Sequence, residues 1–92
     1  MLVLLTHLLK WLVQRELRST SWSGSITEQR RRIRLLLSQQ PSLRVRLPQM
    51  VEVTYGPARS AAAAETGLAS RRFPSRCPFT ITEILERDFL PE

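Results

Sequence analysis

Ninety-two residues are enough for one small domain and for no second core. The chain is 42% hydrophobic and 24% charged, too apolar to stay disordered. Its one cysteine, Cys77, excludes an intrachain disulfide and points to a reducing cytoplasm, while the net charge of +6, carried almost wholly by arginine, suits an acidic surface or a nucleic acid and selects neither.

The first element is MLVLLTHLLKWLV, which holds a single charged side chain. As a signal peptide it lacks a basic residue ahead of the apolar run and a small-residue cleavage site behind it. As a membrane span it is too short: the run ends at Gln14, and Arg15, Glu16 and Arg18 follow, whereas a span needs about twenty apolar residues. It reads instead as an amphipathic helix with a narrow polar stripe, Thr6, Lys10 and Gln14 at i, i+4 and i+8 with His7 beside them. Leu2, Leu4, Leu5, Leu8, Leu9, Trp11, Leu12 and Val13 cover the rest of the circumference. A helix apolar over most of its surface needs neighbours on several sides. Part of this surface is therefore expected to stay exposed and to mediate self-association or bind a protein partner.

The second helix lies in RSTSWSGSITEQRRRIRLLLSQQ, where Trp22, Ile26, Ile33, Leu36 and Leu37 share one face. Ser25 with Glu28 has capping-box spacing, although the phase of Trp22 carries the start back toward Ser21. Gln29 falls within the apolar arc and is expected to be hydrogen-bonded inside the core. Gln40-Pro41 ends the helix, because a residue before proline is pushed out of the helical region. From Leu43 to Glu65 the positions Leu43, Leu47, Met50, Val51, Ala58, Ala61 and Ala62 keep one helical phase. VEVTY within this stretch alternates like a strand, but a lone strand has no partner, so the stretch reads as helix. Pro48 and Gly56-Pro57 interrupt it and predict a kinked or two-piece helix. Gly67 is its stop.

Arg71 to Pro78 reads as a loop held by Pro74 and Pro78. Thr80 then caps a short last helix, with Glu83 completing a capping box and Phe79 and Ile84 placed as a hydrophobic staple. Phe89-Leu90-Pro91 forms an apolar tail expected to dock back on the body. The elements together predict one all-α domain over residues 1–92, a small orthogonal bundle of about four helices.

Several segments in register resemble a known family. HLLKW (7–11), RSTSW (18–22), ITEQRRRI (26–33), PSL (41–43), ETGL (65–68), FPSRCPFT (73–80) and DFLPE (88–92) resemble, in order and spacing, the bacterial family catalogued as domain of unknown function 29. The resemblance spans essentially the whole chain. It implies an all-α bundle with no established activity. It also implies that the chain corresponds to the middle and C-terminal part of the family domain, as a partial, N-terminally truncated copy, since HLLKW lies in an interior helix of family members. Gly56-Pro57 and Leu12-Val13 depart from the family pattern.

Candidate chemistry is sparse. Arg30, Arg31, Arg32 and Arg34 form a run whose candidate basic surface is Arg30, Arg31 and Arg34; on a helical wheel these lie opposite Trp22, Ile26 and Ile33, which predicts a solvated face. Non-specific binding of nucleic-acid phosphates through that face is the alternative, weakened by the lack of an interleaved aromatic side chain. His7 and Cys77 lack a third orienting group for catalysis and further ligands for zinc. Glu83 and Glu86 are accounted for by capping and solvation, and Trp11 and Trp22 by the core. No catalytic residue, cofactor, metal or membrane contact is expected. The leading expectation is a cytoplasmic, non-enzymatic protein-interaction or structural module.

Overall fold

The structure, a computed structural model, describes residues 1–92 and contains four α-helices: α1 Leu2–Val13, α2 Thr20–Gln39, α3 Leu47–Thr66 and α4 Ile81–Leu85. Short 3₁₀ turns at Arg15–Leu17, Pro41–Arg46 and Ser70–Arg72 link them. There is no strand, and VEVTY is helical. The all-α expectation is borne out. No helix is long and apolar enough to cross a membrane.

Helix α1 packs mainly on α3 and also on α2, while α4 packs on α2. Leu4, Leu5, Leu8 and Leu9 are fully buried and form the centre of the core. The polar stripe of α1 is not turned to water. Thr6 and Lys10 are buried as well, and each has a partner: Thr6 Oγ1 donates to Leu2 O at 2.8 Å, and Lys10 Nζ donates to Glu65 Oε1 at 3.0 Å. A buried ammonium without a partner is costly, so this pair fixes the register of α1 against the end of α3. Helices α3 and α2 thus cover α1 within this one chain. The only exposed large apolar residues on α1 are Leu2 and Val3, so most of its apolar surface is covered by the rest of the chain.

Helix α2 begins earlier than its capping pattern predicts. Ser19 is the N-cap, its hydroxyl accepting from Trp22 N at 3.2 Å, and Glu28 turns to Arg31 and Arg32 instead of capping. Arg18 anchors the start by donating to Trp11 O and to Pro91 O and Glu92 O, which ties the tail to the junction of α1 and α2. The buried positions of α2 are Ile26, Arg30 and Leu37. Leu36, expected inside, is exposed, and Gln29 is half-buried with no side-chain hydrogen bond. Trp22 is also only half-buried and stands outside the main core, its ring 4.8 Å from Lys10 Nζ. The buried face is rotated toward Arg30.

Helix α3 is continuous through Pro57. Pro48 sits in its first turn, where a missing N–H removes no helical bond. Pro57 does remove one, leaving the carbonyl of Val53 without its helical donor; Val53, Gly56 and Pro57 are all exposed, so the loss falls on the solvent side. The opposite side presents Val51, Tyr55, Ala58 and Ala62 to the core, and the two fully buried alanines let the backbones of α3 and its neighbours approach closely. Gly67, at φ 73°, ends the helix in the left-handed region, its N–H returning to Ala63 O.

The following loop is lashed to α3. Tyr55 donates its hydroxyl proton to Pro74 O, Arg59 donates to Phe73 O at 3.2 and 3.1 Å, and Phe73 is buried. The capping box of α4 is present in both directions: Glu83 N to Thr80 Oγ1 at 3.1 Å, and Thr80 N to Glu83 Oε1 at 2.9 Å. Phe79 and Ile84 are both buried, as the staple requires. The tail docks back: Pro91 is buried, and Phe89 meets Phe79 edge to face at 6.2 Å.

Candidate functional site, an arginine cluster against the last helix

The arginine run of α2 divides by helical phase. Arg30 and Arg34, one turn apart, face α4; Arg31 and Arg32 face away from it. On the outer side Arg31 forks onto both carboxylate oxygens of Glu28 at 3.0 and 2.8 Å, and Arg32 adds a contact at 3.0 Å. These two guanidiniums hold the Glu28 carboxyl down to about 2. All three side chains are well exposed, so the cluster contributes little to stability.

Arg30 departs from the solvated-face expectation. It is 3% exposed. Its Nε donates to Ile84 O at 2.8 Å, Nη2 to Glu83 O at 3.1 Å, and Nη1 to Phe89 O at 2.7 Å. A longer contact reaches Arg87 O at 3.5 Å. Helix α4 has only five residues, so its last carbonyls have no helical donors and the planar fork of Arg30 supplies them. Arg34 repeats the device one turn later, with Nε donating to Leu85 O at 3.1 Å. The positive charge at this helix end also complements its dipole. Burial, then the nearby charge of Arg34, pulls the Arg30 guanidinium below its ordinary value, which stays far above neutral pH. The face of α2 is rotated because Arg30 is one of the residues it buries.

The three predicted residues are brought together. Arg30, Arg31 and Arg34 line one cleft of about 210 Å³ with Thr27 and Arg87, and no hydrophobic residue lines it.

A model of the family described as Domain of unknown function DUF29 matches residues 1–90. The chain belongs to that family. No curated protein and no solved structure matches it. Membership of DUF29 bears out the resemblance carried by the segments from HLLKW to DFLPE. It assigns no activity, since the function of the family is itself unknown.

In this DUF29 chain the other residues weighed for chemistry are placed apart from the arginines. His7 Nδ1 lies 2.9 Å from Val3 O, within its own helix. Cys77 lies in a wider groove of about 820 Å³ between α3 and the loop before α4, beside Tyr55 and Phe79. Its thiol contacts Phe79 O at 3.5 Å, and burial pushes it above the ordinary thiol range, so it is protonated and weakly nucleophilic at neutral pH. No group of three or more His, Cys, Asp or Glu side chains is placed to hold a metal ion.

Burial, with the Cys77 charge adding to it, pushes the Tyr55 hydroxyl up to about 12. The folded state therefore holds this proton more tightly than the unfolded chain, whose one tyrosine titrates near 10. The resulting stabilisation is complete below about pH 10 and is lost as pH rises through about 12. Denaturant melts across that window are expected to show falling stability, with a shallower fall in Tyr55→Phe. An identical alkaline fall in both proteins would show that Tyr55 does not contribute to it.

Proposed function

We propose that the chain is a non-enzymatic protein-interaction module of the bacterial cytoplasm, and that it docks an acidic, leucine-bearing segment of a partner protein. The observation that carries this reading is a basic apolar corner where α2 turns through residues 41–46 into α3. Val45 and Val53 there are 83% and 68% exposed, more than any other large apolar side chains. Met50 and Val53 line a shallow depression with Arg46, Gln49 and Thr54, which recur at helical spacing along the outer side of α3. Leu35 and Leu36 are exposed near the end of α2, just before the corner. Exposed apolar surface rimmed by polar groups is the usual mark of an interaction site. Exposed Arg44 and Arg46 on the corner, and a net charge of +6, favour an acidic partner. A second copy would bring like charges together across a symmetric contact. The single free cysteine is what favours the cytoplasm.

Non-specific nucleic-acid binding is the weaker reading. Two of the arginines it would use are tied to carbonyls of α4, a third is paired with Glu28, and no aromatic side chain lines their cleft to stack a base.

The test is fluorescence anisotropy with a synthetic amphipathic peptide in which glutamates bracket leucines. Binding is expected to weaken as salt rises, and Val53→Asp should reduce affinity at least fivefold without moving the thermal melt. Peptide binding indifferent to Val53→Asp would sink the reading. So would a dimer in sedimentation velocity that Val53→Asp dissolves, because the occupant would then be a second copy.

A further inference from the structure

We propose that the cleft lined by Thr27, Arg30, Arg31, Arg34 and Arg87 binds a phosphate-type oxyanion, whether free or carried as a phosphomonoester on a peptide. This site is separate from the apolar corner and stands whether or not that corner binds a protein.

The cleft is built rather than a chance crowding of surface charge. Its floor is Arg30, buried and held by carbonyls of Glu83, Ile84 and Phe89. Arg34 is held by Leu85 O through Nε and Nη2. A guanidinium carries five N–H groups in a fixed plane, so anchoring two of them leaves the other three of Arg34 oriented and without a partner. Arg87 makes no ion pair or side-chain hydrogen bond, and the hydroxyl of Thr27 makes none either. Two cations fixed one helical turn apart repel each other, and that repulsion contributes to the lowered affinity of Arg30 for its proton.

No carboxylate lines the cleft, although Glu28 takes up the charge of one of its arginines, Arg31. Glu28 is engaged by Arg31 and Arg32, and Glu86 and Asp88 act on Arg30 without lining the cavity. An anion entering here would meet the three remaining N–H groups of Arg34, already oriented, and the free side chains of Arg87 and Thr27, which order on binding. The volume of about 210 Å³ admits one tetrahedral oxyanion with several waters, at roughly 30 Å³ per water, and is too small for a nucleotide with its base.

The experiment titrates inorganic phosphate at constant ionic strength, followed by phosphorus NMR line width and by the thermal midpoint. Saturable binding and a rise in the midpoint relative to chloride are expected. Arg87→Gln and Thr27→Ala change exposed side chains that hold nothing in the fold, and each should weaken phosphate binding, Arg87→Gln at least fivefold. Arg71→Gln removes the same charge from an exposed position that does not line the cleft and should leave binding intact. An equal loss in Arg71→Gln would reduce the effect to general charge screening and overturn the proposal. A phosphoserine peptide is then compared with inorganic phosphate: tighter, competitive peptide binding assigns the anion to a protein ligand, and equal affinity assigns it to free phosphate. Binding seen only with a single-stranded oligonucleotide, and not saturable by phosphate, would overturn the proposal in favour of a nucleic-acid surface.

Discussion

Arg30→Ala is expected to lower stability by about 3–5 kcal/mol in a urea or thermal melt. The substitution removes the donors to the carbonyls of Glu83, Ile84 and Phe89 from a site only 3% exposed. Each buried acceptor left without a partner costs about 1–3 kcal/mol. Against a total stability of about 5–15 kcal/mol for a domain, such a loss would leave α4 and the tail undocked in much of the population. Arg30→Lys keeps the charge but replaces the planar fork by a single ammonium, so it should recover only part of the loss. Arg31→Ala, on the same run but with a side chain 62% exposed and paired only to Glu28, should leave the melt nearly unchanged. Equal melts for Arg30→Ala and Arg31→Ala would mean that the run is a plain solvated face after all.

The contrast between those two arginines marks where the chain could be read directly. The capping box of Thr80 and Glu83, the stop at Gly67 and the proline that ends α2 are local devices, complete within a few residues, and each is found where its residues place it. Arg30 is different. Its partners lie more than fifty residues away, on backbone carbonyls whose need for donors arises only because α4 is so short. Any reading by hydrophobic phase turns an arginine outward, and with it the arc of α2. Hence the phase places Leu36 and Trp22 in the core, whereas the structure leaves Leu36 exposed and sets Trp22 at the rim against Lys10. The place of Phe73 is not legible for a related reason: it lies in a loop with no periodicity, held against α3 by its own buried ring and by the bonds from Arg59 and Tyr55 to its own and the next carbonyl. The one legible hint at the candidate site was the density of arginine at positions 30 to 34. Density alone could not say that two of the four would be anchored by carbonyls, which is what turns a charged face into a cleft with fixed donors.

Leu8→Ala is expected to destabilise the fold by about 2–5 kcal/mol, and Leu2→Ala by about 1 kcal/mol or less. Both residues belong to the same apolar run in α1, and composition does not distinguish them. Leu8 is fully buried in the single hydrophobic core, so shortening it opens a cavity in close-packed surroundings. Leu2 is 44% exposed and loses only part of a contact. The difference arises from how α1 is seated. The buried Lys10 reaches Glu65 at the end of α3, and Ala58 and Ala62 leave α3 smooth enough for a close helix pair. Rotating α1 to expose Leu8 would strand that ammonium in the interior. Parallel melts of the two variants test the arrangement: a small and equal cost would mean that α1 is not held in one orientation, and that its leucines are free to seek cover outside the chain.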